Sequence, residues 1–107
     1  MNELTISEIN LVPLKYKDGL VSLASCVINN QFYIGSIAIY TSPLSPDGFR
    51  LVFPTKTLNN GTKLSIAHPI NKETGLIIQR QIVREYLKLM EKLMKGEVKN
   101  EQEPDDT

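Results

Sequence analysis

The sequence predicts an α+β fold: an antiparallel sheet of about four to five strands, followed by one long C-terminal amphipathic helix, in a dimeric unit. Three observations carry this expectation. Segments of alternating, β-branched and aromatic residues are separated by Asp18-Gly19, Asn29-Asn30 and Asn59-Asn60-Gly61, residue types that accept the left-handed backbone of tight turns. From Thr74 onward the apolar period becomes helical. The apolar arc of that helix is also wider than one sheet face needs.

Leu4 to Leu14 alternates loosely and contains Pro13, which suits an edge strand because proline cannot donate to a ladder. Leu20–Ile28 follows the Asp18-Gly19 turn. It has Val21, Leu23, Ser25 and Val27 on one face and Ser22, Ala24, Cys26 and Ile28 on the other. After Asn29-Asn30 comes a third strand, Gln31–Thr41. Both faces of these central strands are largely apolar, so a helix or a partner subunit is expected over more than one side. Residues 42–48, Ser-Pro-Leu-Ser-Pro-Asp-Gly, form a loop. Phe49–Phe53 and Lys63–Ile66 are expected to pair as a last hairpin around Asn59-Asn60-Gly61, with Pro54 ending the ladder on its side. The helix is expected from Thr74 to about Lys95, capped by Asn71 or Thr74 and stopped by Gly96.

At 107 residues the chain is one domain that buries roughly 60–65% of its unfolded surface without disulfides or metals. It divides into residues 1–96 as the folded unit and 97–107 as a disordered acidic tail. The apolar fraction is 41% and the charged fraction 22%, ordinary for a soluble globular protein. No secretory signal pattern opens the chain, and no apolar run approaches the about 20 residues of a membrane span. Cys26 is the only cysteine; with no internal disulfide possible, a reducing cytoplasm fits, and its apolar setting predicts burial. Lys+Arg and Asp+Glu balance at 12 each, yet residues 97–107 hold five acids against one base (−4), leaving 11 bases against 7 acids (+4) on the rest. A basic body permits a polyanionic partner.

On a helical projection of about 100° per residue, Arg80, Arg84, Lys88, Lys92 and Lys95 fall within about 120°. Ile78, Ile82, Val83, Tyr86, Leu87, Leu89, Met90, Leu93 and Met94 fill the opposite half, nearly 180° wide, where one sheet face needs about 100°. The surplus predicts contact with a second subunit.

The strands Leu23-Ala24-Ser25, Phe32…Ile37-Ala38-Ile39 and Leu51-Val52-Phe53-Pro54-Thr55-Lys56 lead to Asn60-Gly61. Then come Ile66-Ala67-His68-Pro69-Ile70-Asn71, Ile78-Gln79 and Glu85-Tyr86. In this order, and above all in the Ala-His-Pro-Ile-Asn pentad, the chain from about Leu4 to Leu93 resembles the SpoVG (stage V sporulation protein G) septation family. The resemblance implies a small cytoplasmic bacterial protein, homodimeric, that binds DNA and in some members RNA as a regulator of transcription, septation, cell division or sporulation. The resemblance together with the basic arc points to contacts from Lys56, Lys72, Arg80 and Arg84. Two departures stand out. Lys56-Thr57 keeps one cation of a basic pair, and Gly75, Leu76 and Ile77 stand where the family shows Arg-Gly-Lys.

Each candidate has a plain structural alternative. Lys88, Lys92 and Lys95 suit a solvated helix face, and Lys56 and Lys63 also serve hairpin solubility. Tyr33 and Tyr40 fit core or subunit contacts better than base stacking. His68 has no second ligand at metal spacing and is expected to fix a turn. No nucleophilic triad, phosphate loop or cofactor motif is present, so no enzyme activity, no cofactor, no small-molecule substrate and no membrane partner are expected. The other functional class open to the chain is a dimeric protein-interaction adaptor that keeps the fold without the nucleic-acid surface.

Overall fold

A computed structural model describes residues 4–95; Gly96 and the predicted tail lie outside the described residues. The element order is β1 (Ile6–Lys17), β2 (Leu20–Ile28), β3 (Phe32–Thr41), β4 (Phe49–Val52), β5 (Thr55–Thr57), β6 (Lys63–Ser65) and α1 (Lys72–Met94). The first four strands form an antiparallel meander in the order β1-β2-β3-β4. Positive φ at Asp18 (54°) and Gly19 (91°) closes the first hairpin, as paired left-handed residues must in a two-residue turn. Asn29 and Asn30 do the same for the second, with φ of 51° and 58°. Asn29 has a further role: its amide donates to the Thr5 carbonyl and its side-chain oxygen accepts from the Thr5 amide, both at 2.8 Å. This ties the entry of β1 to the far end of β2.

The alternation along β2 is resolved as the sequence suggests. Ser22, Ala24 and Cys26 are buried on the helix side, while Leu23 is 37% exposed. The Ser22 hydroxyl is satisfied by the Val12 and Leu23 carbonyls, which lets a polar residue sit in the core. Cys26 is fully buried, and burial pushes its thiol pKa up.

The last hairpin differs from the expected one. Residues 49–52 pair with β3 (Tyr40↔Arg50, Ala38↔Val52), and Lys63–Ser65 pairs with Thr55–Thr57. Phe49–Phe53 and Lys63–Ile66 are therefore not partners. Pro54 is the physical cause. It has no amide hydrogen, so the β3–β4 ladder stops before it, and the ladder spreading back from Asn59-Asn60-Gly61 stops at Thr55↔Ser65. Its carbonyl still accepts from Ile66 N at 3.0 Å. The molecule accordingly has a four-stranded sheet and a separate two-stranded ribbon.

The helix begins at Lys72, two residues before the expected start. Asn71, extended at φ −149°, is the cap, and its side-chain oxygen accepts from Thr74 N at 2.8 Å. A Thr74 cap would have left that donor without its partner. Ile78, Ile82, Val83 and Tyr86 are buried. The first two and Tyr86 pack into one cluster with Ala24, Cys26, Ile34, Ile37 and Ile39. Tyr86 meets Phe49 edge-on at 5.5 Å between ring centroids, a favoured aromatic geometry. The sheet leaves one edge of the apolar arc uncovered: Leu76 is 45%, Leu87 48% and Met94 86% exposed.

This division of the helix sets the expected response to truncation. Ile82→Ala is expected to destabilise the fold by about 2–5 kcal/mol, and Leu87→Ala by less than about 1 kcal/mol. Chemical denaturation of both variants alongside the parent chain checks the contrast.

Candidate nucleic-acid interface

The sheet packs against one side of α1 and leaves the other to solvent, because a helix that buries residues 78, 82 and 86 must turn residues 80, 84 and 88 outward. Arg80, Arg84, Lys88, Lys92 and Lys95 are all exposed. They are not equally available. Lys88 Nζ lies 3.4 Å from Glu85 Oε2, and Lys95 Nζ lies 3.3 Å from Glu91 Oε2. These are exposed pairs of the kind that contribute at most about 0.5 kcal/mol, but each places an acid beside its cation. Arg80, Arg84 and Lys92 take part in neither pair. Arg80 and Arg84 are one turn apart on the same face, about 6 Å along the axis. Lys72 is exposed at the first helical position, about 12 Å N-terminal to Arg80 by the same rise.

Lys56 belongs to a different element. It lies exposed on β5, in the two-stranded ribbon separate from the main sheet. The fold therefore groups Arg80 with Arg84, places Lys72 two turns away, and leaves Lys56 on the outlying ribbon. At positions 75–77, Leu76 is 45% exposed while Gly75 and Ile77 are half-buried. Gly75 faces the Pro69 ring, 3.6 Å from where a Cβ would stand.

Arg80 also lines a hollow of about 240 Å³ with Ser45, Pro46, Asp47, Leu76 and Gln79. Here the 42–48 loop is fastened to the helix. Gln79 Nε2 donates to the Phe49 carbonyl at 2.8 Å and to Asp47 Oδ1 at 3.2 Å. Asp47 Oδ1 also accepts from Ser45 Oγ at 2.8 Å and from Phe49 N at 3.1 Å. Partial burial opposes ionisation of Asp47, but the bonds from Ser45, Phe49 and Gln79 outweigh it and hold the carboxyl below its ordinary 3.8. Gln79 thus fixes the loop beside Arg80, a role its place on a helix did not reveal. The signal available in the sequence was a Ser-x-Asp turn ahead of a strand.

His68 fixes a turn, with Nδ1 2.7 Å from Ser65 Oγ. Tyr33 is 67% exposed and so is not a core residue. Tyr40 is half-buried under Arg50, whose guanidinium carbon is 4.8 Å from the ring centroid. Arg50 was not singled out from sequence, since only the Tyr40↔Arg50 register makes them cross-strand neighbours. Among the described residues no group of three or more His, Cys, Asp or Glu is placed to hold a metal ion, and no helix is long and apolar enough to cross a membrane.

A family model described as SpoVG matches residues 4–88. Among curated relatives, a protein of Clostridium perfringens provisionally named septation protein SpoVG is 27% identical over 86 residues, covering 80% of this chain and 92% of its own length. One of Geobacillus thermodenitrificans with the same name is 27% identical over 84 residues, covering 78% and 84%. One of the aster yellows witches'-broom phytoplasma is 27% identical over 86 residues, covering 80% and 84%.

The Asp47 latch has a measurable consequence. Because the folded carboxyl titrates below its free value, the latch's contribution is complete above about pH 4 and is lost as pH falls through the folded pKa. Asp47→Ala is expected to speed hydrogen exchange at the Phe49 amide at neutral pH while leaving the Ile82 amide protected. Amide exchange followed by NMR distinguishes the two sites.

Proposed function

This chain belongs to the SpoVG family, and from that premise we propose that it is a cytoplasmic bacterial regulator that binds DNA or RNA as a homodimer. The septation name carried by its relatives supports, on this reading, a role in cell division or sporulation control. It acts by binding and carries out no reaction. The observation that supports the reading best is the pairing of Arg80 and Arg84. They are exposed and outside the ion pairs of their helix, one turn apart on a rigid element whose opposite side is anchored in the core. Cations so placed meet phosphates without first breaking an ion pair, and arginine engages phosphate oxygens through two donors at once. Lys72 extends the same surface toward the helix start, and Lys56 supplies a cation from the ribbon.

A second reading, a dimeric protein-interaction adaptor, is favoured by one observation. Leu76 stands exposed where the family carries a basic stretch, and Leu87 and Met94 continue an apolar stripe from it along the helix. Such a stripe suits a protein partner better than a phosphate backbone.

The two readings separate in a titration. Binding to labelled DNA and RNA fragments is expected to weaken as salt rises. Arg80→Ala/Arg84→Ala is expected to reduce the magnitude of the log–log salt slope by about 0.9 per lost phosphate contact on duplex DNA, or about 0.7 on single strands. Binding absent at low salt, or unchanged in the double variant, overturns the nucleic-acid reading in favour of the adaptor.

A further inference from the structure

The helix covers one face of the β1–β4 sheet and leaves the other bare. Ala24, Cys26, Ile37 and Ile39 point into the core, so the residues that alternate with them point the opposite way. Register sets these outward residues in rows: Val12 beside Leu23, Leu23 beside Ala38, Ala38 beside Val52, and Tyr40 beside Arg50. Val12 is 56%, Leu23 37% and Tyr33 67% exposed, and Arg50 is exposed as well.

A hollow of about 180 Å³ opens on this face, lined by Asn10, Val12, Leu23, Ser25, Tyr33 and Ser36. Val12 and Leu23 give it apolar surface, while Asn10, Ser25 and Ser36 give it hydrogen-bond donors and acceptors. Tyr33 gives it an aromatic ring, and that ring is laid down along β3. Its hydroxyl oxygen is 2.8 Å and its Cζ 3.3 Å from where a Cβ on Gly35 would stand. Gly35 is not among the glycines with positive φ, so it serves here to make room for the ring. Beside it the β2–β3 register shifts between Ala24 and Cys26, with Ser36 at φ 56°, a bulge of the kind that re-aims side chains.

We propose that the bare sheet face is a second nucleic-acid surface, one that takes an unpaired base of single-stranded DNA or RNA. The base stacks on Tyr33, and its edge bonds to Asn10, Ser25 and Ser36. The inference goes beyond the proposed function and rests on its nucleic-acid part. An exposed ring lying along a strand offers a free face for stacking, which every base accepts. A base is apolar on its faces and polar at its edge, as the hollow is apolar at Val12 and Leu23 and polar at its amide and hydroxyls; a duplex hides both features of the base. The hollow is uncharged, yet β1–β4 carry Lys15, Lys17 and Arg50 against the one acid Glu8. A polyanion is therefore drawn to the face while the base enters a neutral site. Arg50 lies over Tyr40, about 20 Å further along β3 from Tyr33, where its guanidinium plane offers a second stacking surface. A protein partner fits less well, because Asn10, Ser25 and Ser36 break up the apolar patch that the centre of such an interface needs. Arg80 and Arg84 point away from the sheet on the other side of the molecule, so the two surfaces can be altered one at a time.

Fluorescence anisotropy of the full chain with a labelled single strand, an abasic strand and a duplex of equal length tests the surface. The parent is expected to bind the single strand more tightly than the abasic one. Tyr33→Ala, a change at an exposed residue, is expected to leave the far-UV circular dichroism spectrum unchanged. It is expected to weaken single-strand binding about 5- to 150-fold, the loss of one base stack. Duplex affinity and the log–log salt slope are expected to stay the same, because stacking releases no counterions. Tyr33→Phe keeps the ring and is expected to bind within about twofold of the parent, and Gly35→Ala, which pushes the ring aside, to weaken single-strand binding. Single-strand affinity that survives Tyr33→Ala, an equal loss in Tyr33→Phe, or an equal loss on the duplex overturns the surface. So does a protein captured by the parent and not by Tyr33→Ala while single-strand affinity is unaltered. In each of these cases a lower salt slope in Arg80→Ala/Arg84→Ala leaves the proposed function standing. Single-strand binding lost with Tyr33→Ala but untouched in the double arginine variant upholds the surface and overturns the arginine reading. Failure of every probe to bind overturns both.

Discussion

The packing of Ile78, Ile82 and Tyr86 onto Ala24, Cys26, Ile37 and Ile39 is the contact on which the rest of the molecule depends. A four-stranded meander with one uncovered face is unstable in water, and a helix 23 residues long gains most of its stability from tertiary contact. Each element supplies what the other lacks. Ile37, Ile39 and Ile82 are fully buried at the junction, so the rotation of the helix about its own axis is set there. The direction in which Arg80 and Arg84 point follows from that rotation. The cationic face is thus a consequence of core packing several ångströms away, which is how a surface without internal structure of its own acquires a defined orientation.

The two flanks of the helix are fixed differently. Toward its N-terminus, Asn71 caps the first turn and Gln79 binds the 42–48 loop through Asp47 and the Phe49 carbonyl. Arg80 is therefore held among ordered neighbours. Toward its C-terminus two of the three lysines are paired within the helix, Lys88 with Glu85 and Lys95 with Glu91. The electrostatic character of a single helix face changes along its length, from arginines outside these pairs to lysines that mostly have an acid beside them. The proposed phosphate contacts gather at the first of these ends for that reason.

Much of the fold was legible in the residues. The turns at Asp18-Gly19 and Asn29-Asn30, the burial of Cys26, the loop over 42–48 and the turn role of His68 all follow from local chemistry. Local chemistry does not reach across the chain, and the misassignments share that origin. The partner of Phe49–Val52 is β3 and not Lys63–Ser65, because pairing is decided by which strand edge is vacant after Pro54 ends one ladder. Of the two roles favoured for Tyr33, core or subunit contact, its exposure removes the first, since β propensity is shared by both faces of a strand. Asn71 and Thr74 were equivalent caps on paper, and only the backbone geometry separates them.

The sequence by itself determined the periods: strand, strand, strand, then a helix with cations along one side and apolar residues along the other. Those are properties of side-chain type and spacing, and they survive any arrangement of the elements. The tertiary structure decided which part of the wide apolar arc is covered, which cations are paired, and that residues 55–66 stand apart as a ribbon. These depend on distances between residues remote in the chain, which no period encodes, and they are what separates an amphipathic helix in general from the exposed Arg80–Arg84 surface of this one.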